Sequence, residues 1–542
     1  MDRLSEDQCS ASTRTGQNTR SAIPSPDAPG DRRGERFVSN VFWSWIAVAV
    51  QLLPGLVVTP YLILKLGAER YGIWSLAFSL VGYYALVDLG FRSAAVRYAA
   101  HFLALGENES LNELVNTLFV YFSLAAAALV GLTLLVWQRA DRLFHVPPEH
   151  HNEFAWLVLL AGLNLSAGVI GSLFSGCVEG FHRFDVSNHI FVVSFGARSA
   201  GWFVLLATGR GLIALGAWAL VTNVALVLMY MRAFFRMFPT LRLSPRWATM
   251  RMFRETAAYG SQTFLAGVSM RIMEQITPLL IGHYRPISDV GYYAFPLRLL
   301  QYGTDAVSRV GVVATPQSAD LAARRELDKV GRLAVITNRY CLILFMPIAL
   351  FLSVFGYDLL ATWLHKPDFA ANSAPLLPIM LMGFTFGQAA QFCSASILFG
   401  LGAQREYAFA LFAEMVLNIA LTIFVLPSYG IMGAAIVSSM LMLIARGVIA
   451  PWLLCRHLKY RFSGYMSSIL TQPLLLAIPF WLALVVIRRA SIGVGSVPQL
   501  AAIGIGAATL YLGASYFTLV APEHKQLLRS WLVKRFSARA MP

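Results

Sequence analysis

Arg271 and Glu274, three positions apart in SMRIMEQITP (residues 269–278), interrupt a stretch that is otherwise almost wholly apolar from residue 257 to 281. An ionised side chain at the centre of a membrane-spanning helix costs about 2.5–3.5 kcal/mol on insertion scales, so these charges need something polar to face. At 100° per residue, Gly267, Arg271, Glu274, Gln275 and Pro278 fall along one helix face. The next apolar run carries a similar stripe of Arg298, Gln301, Tyr302, Asp305 and Arg309, and an earlier run carries Tyr84, Asp88 and Arg92. Three polar stripes on apolar helices point to a shared, water-filled cavity. The chemistry available there is anion binding and ion exchange. A guanidinium stays protonated when partly desolvated and grips phosphate with a planar fork. Arg298 has no acidic residue within four positions, so Arg271 and Arg298 are the candidates to hold a phosphate-bearing substrate, with Arg92 and Arg309 drawing it in. A carboxylate beside such an arginine can bind H⁺ or Na⁺ and so change the charge presented. Glu274 is the first candidate for ion coupling, followed by Asp88, Asp305 and Glu414.

Each of these residues also has a purely structural reading. Asp88–Arg92 and Asp305–Arg309 are i,i+4 pairs that could neutralise themselves within their helices. Arg97, Lys65 and Arg339 are expected to snorkel, and Glu414 with Asn418 to make an interhelical polar contact as readily as an ion site. His145, His150 and His151 gather with acidic neighbours in FHVPPEHHNEF. A zinc or pH-sensing site is conceivable there, against the default of a solvated loop. The Asn108-Glu109-Ser110 sequon falls on the expected cytoplasmic side and is discounted. The five cysteines lack C-x-x-C spacing, so neither a metal site nor a disulfide framework is expected. No Walker motif is present and no cofactor is expected; a proton or sodium gradient is the expected driving force.

The elements that must position these residues follow from composition. The 542-residue chain is 57% apolar and only 13% charged, against about 25% charged residues in average soluble domains. Fourteen segments approach the roughly 20 apolar residues that a span requires: α1 (38–65), α2 (71–103), α3 (111–137), α4 (153–176), α5 (186–208), α6 (211–236), α7 (253–283), α8 (288–313), α9 (331–356), α10 (373–400), α11 (404–426), α12 (429–455), α13 (466–487) and α14 (497–520). α5 meets α6 at Gly209–Gly211. The net charge of +15 sits mostly in short connecting loops, such as Arg232 to Arg254 and Arg324 to Arg332. The positive-inside rule then places both termini in the cytoplasm, and the absence of a soluble basic face excludes nucleic acid as a partner. Residues 1–35, rich in Pro and Ser, read as a disordered cytoplasmic tail without an apolar signal core.

The chain also repeats itself. TPYLI (Thr59–Ile63) followed by Tyr71-Gly72 is echoed by TPLLI (Thr277–Ile281) followed by Val290-Gly291. GLIALGA (Gly211–Ala217) is echoed by GIMGAAI (Gly430–Ile436), and Asp88–Arg92 by Asp305–Arg309. The expected architecture is all-α: a six-helix lobe over 36–250, a second over 251–458, and α13–α14 with a basic tail over 459–542. Duplicated halves are a common transporter plan, with the substrate between them.

At this point the chain resembles the polysaccharide flippases (Wzx-type O-antigen flippases) of the multidrug/oligosaccharidyl-lipid/polysaccharide exporter superfamily. The resemblance rests on LGAERYGIWSLAFSLVGYYALVDLGFRSAAVRY, on TPQSADLAARRELDKVGRL, and on LFGLGAQREYAFALFAEMVLNIALTIFVLPSYGIMGAAIVSS, and it covers nearly everything from Arg36 to the end of α14. It implies two six-helix lobes with alternating access. The implied cargo is an undecaprenyl-diphosphate-linked oligosaccharide moved across the bacterial inner membrane for surface polysaccharide synthesis. It also implies a hydrophobic groove at α13–α14 for the lipid tail, membrane lipids as surroundings, and a polysaccharide polymerase and chain-length proteins as candidate partners. One departure is that α1 carries no central ionised residue where related lipid flippases often have a basic one; Gln51 is the strongly polar residue there.

Two other functions compete. Export of small amphipathic drugs or cations is disfavoured if the cavity is basic, because like charges repel in a low dielectric. A membrane polymerase or ligase would need catalytic residues on sizeable extramembrane loops, and the longest outer connections, near 138–153 and 357–373, run to only about 15–20 residues.

Overall fold

The computed structural model describes residues 58–88, 90–139, 144–181, 183–239, 241–490 and 495–520, with 522 and 525. The tail 1–35, Gln51, most of α1, the stretch 526–539 and the side chain of Arg309 lie outside the described residues.

In lipid every backbone N–H and C=O must be satisfied within its own segment, which leaves helices as the way for these apolar runs to cross. Among the described residues there are helices and connections and no strand. The end of α1 and the start of α2 lie in one helical run, 58–82, where Gly67 at φ +88° marks the turn between them. α2 then tightens into a 3₁₀ segment (Tyr83–Asp88) and restarts as Phe91–Leu105. The restart needs Gly90 at φ 79°, in the left-handed region that a glycine enters without Cβ strain. α3 (Asn108–Trp137), α4 (His151–Gly180), α5 (Phe184–Ala207) and α6 (Leu212–Met237) follow as separate helices. Gly209, at φ +73°, makes the α5–α6 turn.

In the second half, α7 runs Met250–Tyr284, α8 Ile287–Ala323 and α9 Leu327–Leu364. α10 is assembled from Pro367–Ser373, Leu376–Met382, a π segment Gly383–Ala389 and Phe392–Gly400. α11 and α12 share the run Gln404–Met442, broken at Gly430 (φ 58°, ψ −152°), and α12 continues through a second π segment, Leu443–Ile449, to Ala450–Leu458. α13 (Phe462–Arg489) and α14 (Val497–Thr518) pack on α9, where buried Tyr511 donates its hydroxyl to the Pro473 carbonyl at 3.2 Å.

Among the described residues, ten helical runs are both long and apolar enough to span a membrane. α7 and α8, at 35 and 37 residues, have the length but fall short of the apolarity because of their polar stripes. With α11 and α12 counted separately and α1 lying mostly before residue 58, the total agrees with fourteen spans. The chain is an all-α, multi-pass membrane protein of two pseudo-symmetric six-helix lobes and two further helices.

The lobes meet at one end. There Ile73 and Leu76 of α2 share one buried cluster with Ile281 of α7 and with Ile287 and Val290 of α8. The far end of the first lobe has its own aromatic core, in which Phe91, Phe122, Phe174 and Phe234 are fully buried. α7 is tied to that end at its start. Thr249 caps it, accepting from the Met252 N–H at 3.2 Å, and the Thr249 N–H donates to Thr117 of α3 at 3.0 Å. Glu113 of α3 accepts from the Thr249 hydroxyl and from Arg251.

Candidate functional site: two chambers between the lobes

α7 and α8 stand between the lobes with their polar stripes facing open space. One chamber, of about 430 Å³, lies on the second-lobe side and is lined by Arg271, Glu274, Arg298, Asp305, Gln388 and Arg446 among others. A second chamber, of about 450 Å³, lies on the first-lobe side against α2. The two share a wall formed by Glu274, Gln275, Pro278, Leu297, Arg298 and Gln301. Pro278 has no N–H to offer the carbonyl four residues earlier, so the Glu274 carbonyl in this wall has no helical donor.

Arg271 donates through Nη1 to Glu274 Oε2 at 3.1 Å, and the two side chains are 58% and 43% exposed. They face an open cavity rather than being locked in packing, and at this exposure solvent screens their attraction. Arg271 also lies close enough to Asp88 of α2 to act on it electrostatically. Arg298 donates to the Gln301 side chain at 3.1 Å and stacks over the Tyr302 ring, 4.7 Å from its centroid. Asp305 joins them on the chamber lining.

Arg92 is placed differently. Its Nη2 donates to both Glu179 oxygens of α4, at 2.7 and 2.9 Å, so its charge is engaged across the first lobe. Asp88 does not pair with the Arg92 side chain; it accepts the Arg92 backbone N–H at 3.0 Å and so satisfies an orphan donor where α2 restarts.

Glu414 is completely buried and takes Arg446 Nε at 3.2 Å. Arg446 also donates to Gln388 and lies 3.8 Å from the Met273 sulfur, and Glu274 acts on it electrostatically. Arg446 and Gln388 occupy the two π segments, an irregularity that recurs at functional sites. Backbones approach closely here, for a Cβ on Gly387 would lie 2.7 Å from the Met442 carbonyl oxygen and one on Gly447 3.1 Å from that of Phe386. Asn418 donates to Ser438 at 3.1 Å, while Glu414 Oε1 and Asn418 Oδ1 remain buried without a partner.

Arg446, Gln388 and Glu179 escape a reading by single-helix stripes. The insertion-cost argument applied to Arg271 would also have flagged Arg446 in the middle of α12. The second-lobe chamber is therefore not simply basic: its lining holds Arg271, Arg298 and Arg446 against Glu274 and Asp305, and Arg446 is paired from behind with the buried Glu414.

Elsewhere, Lys65 reaches over the Tyr61 ring, and Arg339 donates to the Ser468 carbonyl at 2.9 Å. His150 sits near Glu69, Glu149 and Glu153, at 3.8, 3.8 and 3.5 Å, and His151 contacts the Val146 carbonyl at 2.7 Å. Cys341 and Cys393 approach to 3.5 Å as free thiols.

Two helical lobes around a polar, half-enclosed cavity define a membrane transporter. The chain belongs to the polysaccharide biosynthesis protein family, whose model matches residues 37–322. It is 21% identical over 425 residues to the "Putative O-antigen transporter" of Shigella flexneri, covering 77% of this chain and 98% of that one. Among solved structures it is similar to the lipid II flippase MurJ in an inward closed conformation, with a TM-score of 0.67, 14% identity, and coverage of 89% of this chain and 100% of that chain. A multidrug resistance MATE family transporter of the MOP superfamily matches at 0.66 in its inward-facing form, with 13% identity and coverage of 76% and 94%. These likenesses show the fold.

Proposed function

We propose that this protein flips undecaprenyl-diphosphate-linked oligosaccharide repeat units across the bacterial inner membrane, with both termini cytoplasmic. The observation that carries the reading is that Arg271 and Arg298 line one interlobe chamber, each held among the described residues by one side-chain hydrogen bond from its own helix. Such guanidiniums can exchange a weak intrahelical partner for a diphosphate, a stronger charge-assisted ligand. The chamber's charge balance supplies the coupling. With Glu274 ionised, carboxylate and diphosphate compete for Arg271; with H⁺ or Na⁺ on Glu274, the lining gains a net positive charge and Arg271 is free. A ligand shifts the lobe equilibrium only through its differential affinity for the two states, and this competition provides one. Glu274 is thus the first coupling residue, and Asp88, Asp305 and Glu414 stand behind it. Arg92, engaged by Glu179, and Arg309 act as guides toward the chamber. A polysaccharide polymerase and chain-length proteins would act downstream.

The test is complementation of surface polysaccharide by Arg271→Ala, Arg298→Ala and the double variant, with membrane insertion checked. Losing a charge-assisted hydrogen bond of about 1.5–3 kcal/mol weakens binding roughly 10- to 100-fold. Lys at either position is expected to retain partial function. Wild-type polymer from the double variant removes these residues from the mechanism. The carboxylates in the lining keep export of a cationic amphiphile as a second reading; drug tolerance conferred by the chain without any polymer phenotype would favour it.

A further inference from the structure

The two chambers differ in chemistry although they share a wall. The second-lobe chamber holds the arginines. The first-lobe chamber has Arg298 as its one cation among the described residues and is built on Tyr71, Trp74, Phe78, Phe195, Trp202 and Tyr302. Its polar groups are neutral apart from the shared Glu274 and Arg298, and include Ser75, Ser79, Gln275 and Gln301. Trp74 in its lining is half-buried, with its ring centroid 4.5 Å from that of Phe78 and 5.4 Å from that of Trp202, which is fixed by its indole N–H to the Leu215 carbonyl at 3.1 Å. Aromatic faces beside hydroxyls and amides are what a pyranose needs, since its C–H face packs on a ring while its hydroxyls seek neutral hydrogen-bond partners. A polyprenyl chain would leave those hydroxyls and amides without partners, and a diphosphate would find too few cations.

We infer that the first-lobe chamber is a sugar subsite: the saccharide joined to the diphosphate stacks on Trp74 and Phe78 while the diphosphate is held at Arg271 and Arg298. This rests on the flippase reading above. The shared wall makes it geometrically direct, because Arg298 and Gln301 border both chambers and the diphosphate–sugar linkage would cross there.

Native mass spectrometry of the purified full-length protein in detergent, with two defined probes, tests this. The probes are undecaprenyl diphosphate and undecaprenyl-diphosphate-linked N-acetylglucosamine. The wild-type chain is expected to bind the sugar-bearing lipid about tenfold more tightly. Trp74→Ala should erase that difference, Trp74→Phe should keep most of it, and both should bind the bare diphosphate within twofold of wild type. Arg271→Ala with Arg298→Ala should weaken both probes. Equal affinity of the wild-type chain for the two lipids overturns the sugar subsite while leaving the flippase reading intact. An equal loss for both lipids in Trp74→Ala assigns the chamber to the chain or diphosphate instead and overturns it too. Binding of neither lipid by the wild-type chain overturns the flippase reading itself.

Discussion

Gly72 and Gly291 face each other across the lobe interface, and backbone of the opposite turn fills the place where a side chain of either would go. A Cβ on Gly291 would lie 2.6 Å from the Ala68 carbonyl oxygen and 3.4 Å from the Gly72 nitrogen. A Cβ on Gly72 would collide with the Ile287 carbonyl oxygen and lie 3.4 Å from the Gly291 nitrogen. The same offset of 219 residues separates Gly72 from Gly291 and Ala68 from Ile287, so the contact is a pseudo-twofold one made by equivalent turns of the two repeats. It brings α2 and α8 backbone to backbone at this end of the lobes, as small residues do where lipid gives helices no hydrophobic reason to associate. Beside it, Leu76 fills the space against Gly282. The chambers are thereby sealed on this side.

A side chain at either glycine should therefore open the seal. Overpacking costs about 1–3 kcal/mol, so Gly72→Leu or Gly291→Leu should deplete the closed arrangement roughly 5- to 150-fold. Spin labels at Glu69 and Ser288, read by pulsed EPR, should show a longer distance in either variant. An unchanged distribution in both would show that the glycine contact does not set the seal.

The Arg446–Glu414 pair should behave as a buried ion pair whose members need each other. Arg446→Met alone strands a fully buried carboxylate, and a loss of about 3–5 kcal/mol is expected. Arg446→Met combined with Glu414→Leu replaces two charges with apolar groups and should recover most of that stability. Thermal unfolding in detergent distinguishes the cases; a double variant as unstable as the single one would place the cost elsewhere.

Glu274→Gln should separate binding from coupling. In proteoliposomes the variant is expected to bind lipid-linked substrate but to ignore an imposed proton or sodium gradient. If gradient-driven flipping survives, Glu274 is a structural partner of Arg271, and Asp305 and Asp88 become the next residues to test.

Orientation is checked by reporter fusions. Fusions after Arg246 and Glu326 should report cytoplasm, and one near His150 should report periplasm. A periplasmic signal at Arg246 would overturn the proposed orientation.

Much of this molecule is legible along one dimension. Helical periodicity puts Arg271, Glu274 and Gln275 on one face and Arg298, Gln301 and Asp305 on another, and both faces do line the chamber. The same stripes explain why α7 and α8 are too polar to count as ordinary spans. The repeat, read from Tyr71-Gly72 and Val290-Gly291, marks the positions that meet in the fold. These features depend on 3.6 residues per turn and on composition, which are local properties.

What the sequence alone could not decide is which charge meets which. The Arg92–Glu179 contact joins residues 87 positions apart, and Arg446 finds Glu414 and Gln388 at 32 and 58 positions. Such pairings depend on how each helix is rotated about its axis and how closely it approaches its neighbours. In a membrane, lipid tails and protein interior are about equally apolar, so an apolar face does not say whether it meets lipid or another helix. The rotation is settled by close packing at residues such as Gly72, Gly291, Gly387 and Gly447 and by the few buried polar contacts, and both exist only once the helices are assembled. That is why the tertiary structure, and not the sequence, turned an expected basic cavity into a charge-balanced one.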